Sequence, residues 1–331
     1  MSAPSIGTAS GNVHEFSADL VVRRRTTVAD SVVALELCDP QGQDLPRWEP
    51  GAHVDLLLGD GLVRQYSLCG DPRGADTWRV GVLLDPNSRG GSRHIHDKLG
   101  EGTSVRVRGP RNHFSLVDSP RYRFVAGGIG ITPILPMVDA ADRAGSQWTL
   151  LYLGRTRASM AFAEELSDRY NARVTVWPRD EHDQFDLESL LKEPDDDALI
   201  YCCGPEQLLA GVEQQCAHWP AGSLHVERFA AKSVSVEAAS AALEAFEVVC
   251  RRSGITVQVS AELSILEALE DADVSILGSC YEGVCGTCEA TILEGKPAHR
   301  DSVLTEAEQA SGTVMMTCVS RSRSERIVLD L

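Results

Sequence analysis

Cys280, Cys285 and Cys288 stand in the run Cys-x4-Cys-x2-Cys, and Cys318 follows near the C-terminus. This is the ligand spacing of a plant-type [2Fe–2S] cluster. Iron in sulfide-bridged pairs wants four thiolates in tetrahedral geometry, and soft sulfur supplies them. The short gaps require one tight loop, from Gly278 to Cys288, to wrap the metal. Gly283 and Gly286 allow backbone conformations that a Cβ would oppose, and bring amides close to the sulfurs. A zinc site would favour two Cys-x2-Cys arms, and only one is present. The C-terminal part must therefore fold around a one-electron carrier.

The remaining chain is long. With 331 residues there is room for two or three domains. The net charge of −17 argues against nucleic acid as a partner and leaves a basic protein surface as the complementary one. No apolar run approaches the roughly 20 residues that span a bilayer, so no membrane contact is expected. Residues 1–16 lack an apolar core and a secretory signal and read as a loose tail. Ten cysteines, four of them cluster ligands, suit a reducing cytoplasm better than a disulfide framework. Cys38, Cys69, Cys202, Cys216 and Cys250 read as buried packing residues.

Residues 17–117 carry six short apolar or alternating runs: Leu20 to Val28, Val32 to Leu37, Val54 to Leu58, Leu62 to Leu68, Trp78 to Leu84 and Thr103 to Arg108. Turn residues separate them, which predicts an antiparallel β-barrel. In residues 118–230 strand-like and helix-like segments alternate, which predicts a parallel, doubly wound α/β sheet. Helices are expected near Ile134 to Ala144, Ala161 to Tyr170 and Glu206 to His218. The Ala-rich stretch 231–243 reads as a linker. Residues 244–331 predict an α+β domain of β-grasp, ferredoxin-like type, with a hairpin around Arg252-Ser-Gly254. Capping boxes at Ser264-x-x-Glu267 and Thr305-x-x-Glu308 open two helices there.

Two further constellations carry chemistry. Arg64-Gln-Tyr-Ser-Leu68 lies on a barrel strand, and Gly90, Gly91 and Ser92 precede a short helix. Amides at a helix start and the Arg64 guanidinium suit a phosphate. Tyr66 offers an aromatic face and Ser67 a hydroxyl to a flat ring. Gly127-Gly128-Ile-Gly130 follows a strand and opens a helix, a context in which a pyrophosphate rests on backbone amides. Cys203-Gly204-Pro205 caps a second parallel strand at the same end of the sheet, where ligands collect. Each motif alone is also compatible with an ordinary turn. His94, His96, His113 and His225 read as structural, because hydride transfer to a flavin draws on the cofactor's own nitrogens.

Taken with the order of the parts, these motifs resemble the phthalate dioxygenase reductase family, including the reductase components of vanillate O-demethylases. The resemblance covers about residues 16–331. It rests on Arg64-x-Tyr-Ser-Leu68, Gly90-Gly-Ser92, Gly109-Pro-x-Asn112-x-Phe114, Gly127-Gly-Ile-Gly-Ile-Thr-Pro133, Cys203-Gly-Pro205, Glu227-x-Phe229 and the four cysteines. It implies FMN, with Arg64 and Ser92 on the phosphate and Tyr66, Ser67 and Leu68 along the isoalloxazine. It implies NADH, with Thr132 and Cys203-Gly204-Pro205 near the nicotinamide and Phe229 over the flavin. Ser67, Thr132, Cys203 and Phe229 are thereby the residues nearest the hydride step. Arg155 and Arg157 follow the second α/β strand and keep NADPH open.

The implied activity passes electrons from NADH through FMN and the cluster to a terminal oxygenase or demethylase of Rieske type. The chain is expected to work as a monomer. A cytochrome P450 or another monooxygenase is the alternative acceptor. A non-catalytic redox sensor is the second alternative, which intact flavin and hydride sites oppose. Glu282 and Glu289, in and beside the cluster loop, are expected to fringe the surface that meets the acceptor.

Overall fold

The protein is described by a computed structural model covering residues 15–59, 61–86, 88–231 and 244–331. Most of the expected tail and nearly all of the expected linker lie outside the described residues.

The first unit is a six-stranded antiparallel sheet. Its strands are β1 (Ser17–Ala29), β2 (Val32–Cys38), β3 (His53–Leu57), β4 (Val63–Ser67), β5 (Trp78–Leu83) and β6 (Ser104–Arg111), in the order β4-β3-β6-β1-β2-β5. A bridge between Leu68 and Val80 joins the two outer strands and closes the barrel. Alternation fills its interior: Leu20, Val22, Leu35, Leu37, Val54 and Leu56 share one buried cluster. Helix α1 (Gly91–Lys98) plugs one end with Ile95.

The second unit is a parallel sheet of β7 (Arg121–Gly127), β8 (Gln147–Gly154), β9 (Val174–Pro178), β10 (Ala198–Cys203) and β11 (Leu224–Glu227), in the order β11-β10-β7-β8-β9. Helix α2 (Ile131–Ala144) starts three residues earlier than its periodicity predicts. Pro133 does not stop it, because the amide that proline lacks is one of the first-turn donors left unpaired anyway. The helices Ala163–Tyr170 and Glu206–Gln215 agree with expectation. A five-residue helix, Leu187–Leu191, was not foreseen; Asp186 caps it by accepting from the Ser189 amide at 3.2 Å.

The third unit holds β12 (Phe246–Cys250), β13 (Thr256–Val259), β14 (Glu289–Glu294), β15 (Pro297–Ala298), β16 (Val314–Met316), β17 (Arg321–Ser322) and β18 (Arg326–Leu329). Five of these order as β13-β12-β18-β14-β16. The first and last, β12 and β18, pair in parallel at the centre, with antiparallel neighbours on both sides. Both capping boxes form as read, Ser264 with Glu267 and Thr305 with Glu308. They fix the starts of the helices Ile265–Asp271 and Glu306–Ser311.

Candidate active site and cluster centre

The loop from Gly278 to Cys288 carries three of the four cysteines, and the turn after β16 (Val314–Met316) carries Cys318. Tyr281, Gly283 and Gly286 take left-handed backbone, with φ of 56°, 68° and 72°. A Cβ on Gly286 would lie 2.2 Å from the His113 Nε2 of the barrel, so only glycine fits where loop and barrel meet. The Glu282 amide donates to Cys280 Sγ at 3.3 Å, and the Thr287 hydroxyl lies 3.1 Å from Cys285 Sγ. Hydrogen bonds from Cys285 and Cys318 push the Cys280 thiol down, and one from Cys318 lowers Cys288. The donors Cys285 and Cys318 move up in turn, chiefly through Cys280. Among the described residues no group of three or more His, Cys, Asp or Glu converges on a single ion. A two-iron centre asks for less, since four cysteines serve two irons. The donor set fits it.

One open cavity of about 300 Å³ adjoins this loop. All three units line it. The barrel contributes Arg64, Tyr66, Ser67 and Ser92; the α/β unit contributes Thr132 and Phe229; the loop contributes Cys280 and Cys285. Gly90, at φ +94°, turns the chain into α1. A Cβ on Gly91 would come 2.5 Å from Arg64 Cγ, so the glycine lets the guanidinium lie across the helix start. Arg64 donates to the carbonyls of Val63 and Arg89 at 2.8 and 3.0 Å. Burial and the neighbouring Arg89 cation both push its pKa down. The Arg64 guanidinium beside a helix start makes a place for an anion, while Arg89 is already paired with Glu282. Burial pushes the Tyr66 phenol up, so it is neutral there. Leu68 differs from expectation: its side chain is wholly buried in the barrel core rather than along the cavity.

The glycine turn of the α/β unit packs on the end of β10. A Cβ on Gly130 would stand 2.3 Å from the Cys203 carbonyl oxygen. One on Gly127 would stand 2.7 Å from Pro205 Cδ, and Gly204 touches the Gly127 backbone. These glycines let two neighbouring strand ends meet backbone to backbone, while Gly128 takes φ +55°. Thr132, in the first turn of α2, donates to the Ile129 carbonyl at 2.9 Å. Its methyl meets barrel Gly81, where a Cβ would lie 2.8 Å away. Cys203 is buried behind the cavity wall, its thiol pushed well up by burial. Phe229 is 45% exposed at the cavity, so it is no core side chain.

Reasoning from sequence missed several cavity residues. Glu227 borders the cavity with no ion-pair partner among the described residues, its carboxylate 4.0 Å from Cys203 Sγ. Burial raises its pKa to about 8. Its only sequence signal was its place in Glu227-x-Phe229. His53 lies in the same wall with Nε2 unpartnered, and burial then Arg111 lower its pKa to about 3. The histidines read as structural include His96, bonded to the Val82 carbonyl at 3.0 Å, and His225, stacked on Tyr201. Glu282 gains a partner that its place in the sequence did not show. It pairs with the barrel's Arg89 at 2.9 Å and lines the cavity, its side chain 33% exposed. Glu289 is exposed.

Residues 248–323 match the family described as 2Fe-2S iron-sulfur cluster binding domain, and residues 124–214 match the oxidoreductase NAD-binding domain. The phthalate dioxygenase reductase of Burkholderia cepacia is 37% identical over 321 residues, spanning 94% of this chain and 97% of its own. Phenoxybenzoate dioxygenase subunit beta of Ectopseudomonas oleovorans is 40% identical over 305 residues, 92% and 94% of the two chains. The solved phthalate dioxygenase reductase superposes with a TM-score of 0.69 at 36% identity, covering 96% of this chain and 98% of that one. An intact type IV self-sufficient cytochrome P450 monooxygenase superposes with a TM-score of 0.89 at 44% identity over 95% of this chain. This chain spans 41% of that longer protein. With its barrel, parallel sheet and cluster domain in this order, the chain belongs to the phthalate dioxygenase reductase family: NAD(P)H-dependent iron–sulfur oxidoreductases.

Proposed function

We propose that this chain is the reductase component of an oxygenase system, taking electrons from NADH through FMN to a [2Fe–2S] cluster and on to a separate terminal oxygenase. One observation carries the reading: the phosphate-type site at Arg64 and Ser92, the α2 start at Thr132, and the loop of Cys280 and Cys285 all face one cavity. Bound FMN would supply the conversion between two-electron hydride chemistry and one-electron transfer. The proposed working parts are 17–117 for FMN, 118–230 for the nicotinamide and 244–331 for the cluster, joined by 231–243.

In this reading Arg64 binds the phosphate, and Gly90, Gly91 and Ser92 place helix-start amides and a hydroxyl against it. Tyr66 and Ser67 flank the ring. Gly127, Gly128 and Gly130 let the pyrophosphate approach the sheet end. Thr132 faces the nicotinamide, and the strand end at Cys203, Gly204 and Pro205 backs that wall. Phe229 covers the ring's open face until the coenzyme arrives. Glu227, protonated near neutral pH, offers a proton donor at the cavity wall. Cys280, Cys285, Cys288 and Cys318 hold the cluster.

The acceptor is read as a Rieske-type oxygenase or demethylase, since relatives bear the names of phthalate, toluene-4-sulfonate and vanillate systems. The likeness to the self-sufficient P450 favours a cytochrome P450 as the second acceptor. No helix among the described residues is long and apolar enough to cross a membrane, and we read the chain as a cytoplasmic monomer. The test is NADH-driven reduction of a purified Rieske oxygenase and of a purified P450, followed anaerobically at each acceptor's own absorbance. Faster turnover with the P450 overturns the preferred acceptor. Failure with both, alongside failure to reduce ferricyanide, overturns the reductase reading itself.

A further inference from the structure

Three barrel residues stand in one row across three neighbouring strands. Gln65 on β4 pairs with Asp55 on β3, and Asp55 pairs with Arg108 on β6. Asp55 is wholly buried. Arg108 donates to its Oδ2 from two nitrogens at 2.9 and 2.7 Å. Arg111 forms an ion pair with Oδ1, and Gln65 donates to Oδ1 at 3.1 Å. Burial alone would raise the Asp55 carboxyl, but Arg111 and Arg108 outweigh it and hold it below its ordinary value. Glu15 closes the far side by pairing with both arginines.

Both ends of the row leave the barrel. Gln65 also donates to the Ser279 hydroxyl, and Arg108 donates to the Gly278 carbonyl at 3.1 Å. Gly278 and Ser279 are the two residues immediately before Cys280, and Ser279 is buried. Gln65 itself lies between Arg64 and Tyr66 and lines the cavity, as Cys280 does. The same short strand that faces the cavity with Arg64 and Tyr66 thus grips the cluster loop one residue from its first ligand.

We infer that Gln65, Asp55 and Arg108 form a positioning clamp that fixes the distance between the flavin cavity and Cys280. The inference rests on the reading that this cavity holds the flavin. The step it serves moves one electron, oxidising the flavin by one and reducing one iron; no bond is made or broken. Such transfer decays steeply with separation, and small misplacements in a reacting pair cost large factors in rate. A buried carboxylate between two arginines is weak as a source of stability, because desolvation offsets much of the Coulomb attraction. Its best-attested use is to fix one geometry over others. Here the geometry fixed is that of one domain against another.

The experiment uses the complete protein. Ser279→Ala removes one hydroxyl outside the cavity, and Gln65→Leu removes the donor. Anaerobic stopped-flow mixing with NADH follows flavin and cluster bleaching separately. We expect flavin-to-cluster transfer to slow by about tenfold or more in each single variant. The double variant should be no slower than Gln65→Leu alone, because that variant already lacks the bond that Ser279→Ala removes. Ser279→Thr, which keeps the hydroxyl, should restore the rate. In Ser279→Ala, which lies outside the cavity, cofactor content and both midpoint potentials should stay as in wild type. Amide exchange over residues 276–281 should quicken in Ser279→Ala even in protein stripped of flavin. Unchanged transfer in both single variants at full cofactor content overturns the clamp. A wild-type protein that lacks flavin or cluster overturns the underlying reading instead, and cofactor analysis tells the two apart.

Discussion

Arg89 of the barrel donates to Glu282 of the cluster loop at 2.9 Å, joining two units distant in the sequence. The Arg89 side chain is 62% exposed and that of Glu282 33%, so water screens the pair. Its contribution is about 0.2–1 kcal/mol, and it falls as salt rises. Glu282→Lys should weaken the contact between barrel and cluster loop by about that amount. The swap of Arg89→Glu with Glu282→Lys should restore it. Amide exchange in the loop from Gly278 to Cys288 reads the result; no difference between single variant and swap would remove the pair from the interface.

Coenzyme choice turns on Arg157. It follows β8, at the proposed place of a ribose 2′-phosphate, and its guanidinium is held by Glu181 through two hydrogen bonds of 2.8 and 2.7 Å. A carboxylate in that place repels a phosphate and occupies the cation. Wild type should therefore prefer NADH in kcat/KM. Glu181→Ala should raise kcat/KM for NADPH by about tenfold, the size of one freed charge-assisted contact. A wild-type preference for NADPH would contradict this.

Glu227 predicts a pH effect with a definite sign. Burial raises its folded pKa to about 8, while the unfolded chain has the ordinary value of 4.5. Between those values the folded state binds more protons than the unfolded one, so stability falls as pH rises through that window. Glu227→Gln should flatten the slope between about pH 4.5 and 8 in the flavin-free protein. Thermal unfolding across that range checks it, and an unchanged slope would mean the carboxyl is already ionised.

Much of the architecture was legible because it is written locally. Cysteine spacing, period-two alternation in Val54 and Leu56, and the two capping boxes act over a few residues. The helix Leu187–Leu191 escaped because it is a single turn and a half, too short for periodicity, although Asp186-x-x-Ser189 was its cap signal. Pro133 misplaced the start of α2 because a proline is tolerated in the first turn. Asp55 and Gln65 were invisible for a different reason. Both stand on the barrel's outer side, where alternation predicts solvent. The cluster domain covers that side, and no local pattern encodes which outer face a distant domain will bury. The same holds for Glu282, whose partner Arg89 lies far away in sequence.

The flavin site gives a further prediction. Arg64 lies near both the Arg89 cation, which lowers its pKa, and the Glu282 carboxylate, which raises it. Arg64→Ala should weaken flavin retention by about 1.5–3 kcal/mol, the range for a charge-assisted pair. The flavin released by heat from wild type should be FMN. Release of FAD, or retention unchanged in Arg64→Ala, would place the phosphate elsewhere.

The central claim is that electrons pass from NADH to the cluster only by way of the flavin in the shared cavity. Anaerobic reduction by NADH, read by the paramagnetic resonance of the reduced cluster, tests it in three forms of the protein. The complete protein, with about two irons and two sulfides per chain, should show the signal. Flavin-stripped protein should lose it and regain it on adding FMN. Cys285→Ala should lose the cluster while NADH still bleaches its flavin. A cluster that NADH reduces without flavin, or one that assembles fully without Cys285, would contradict the account.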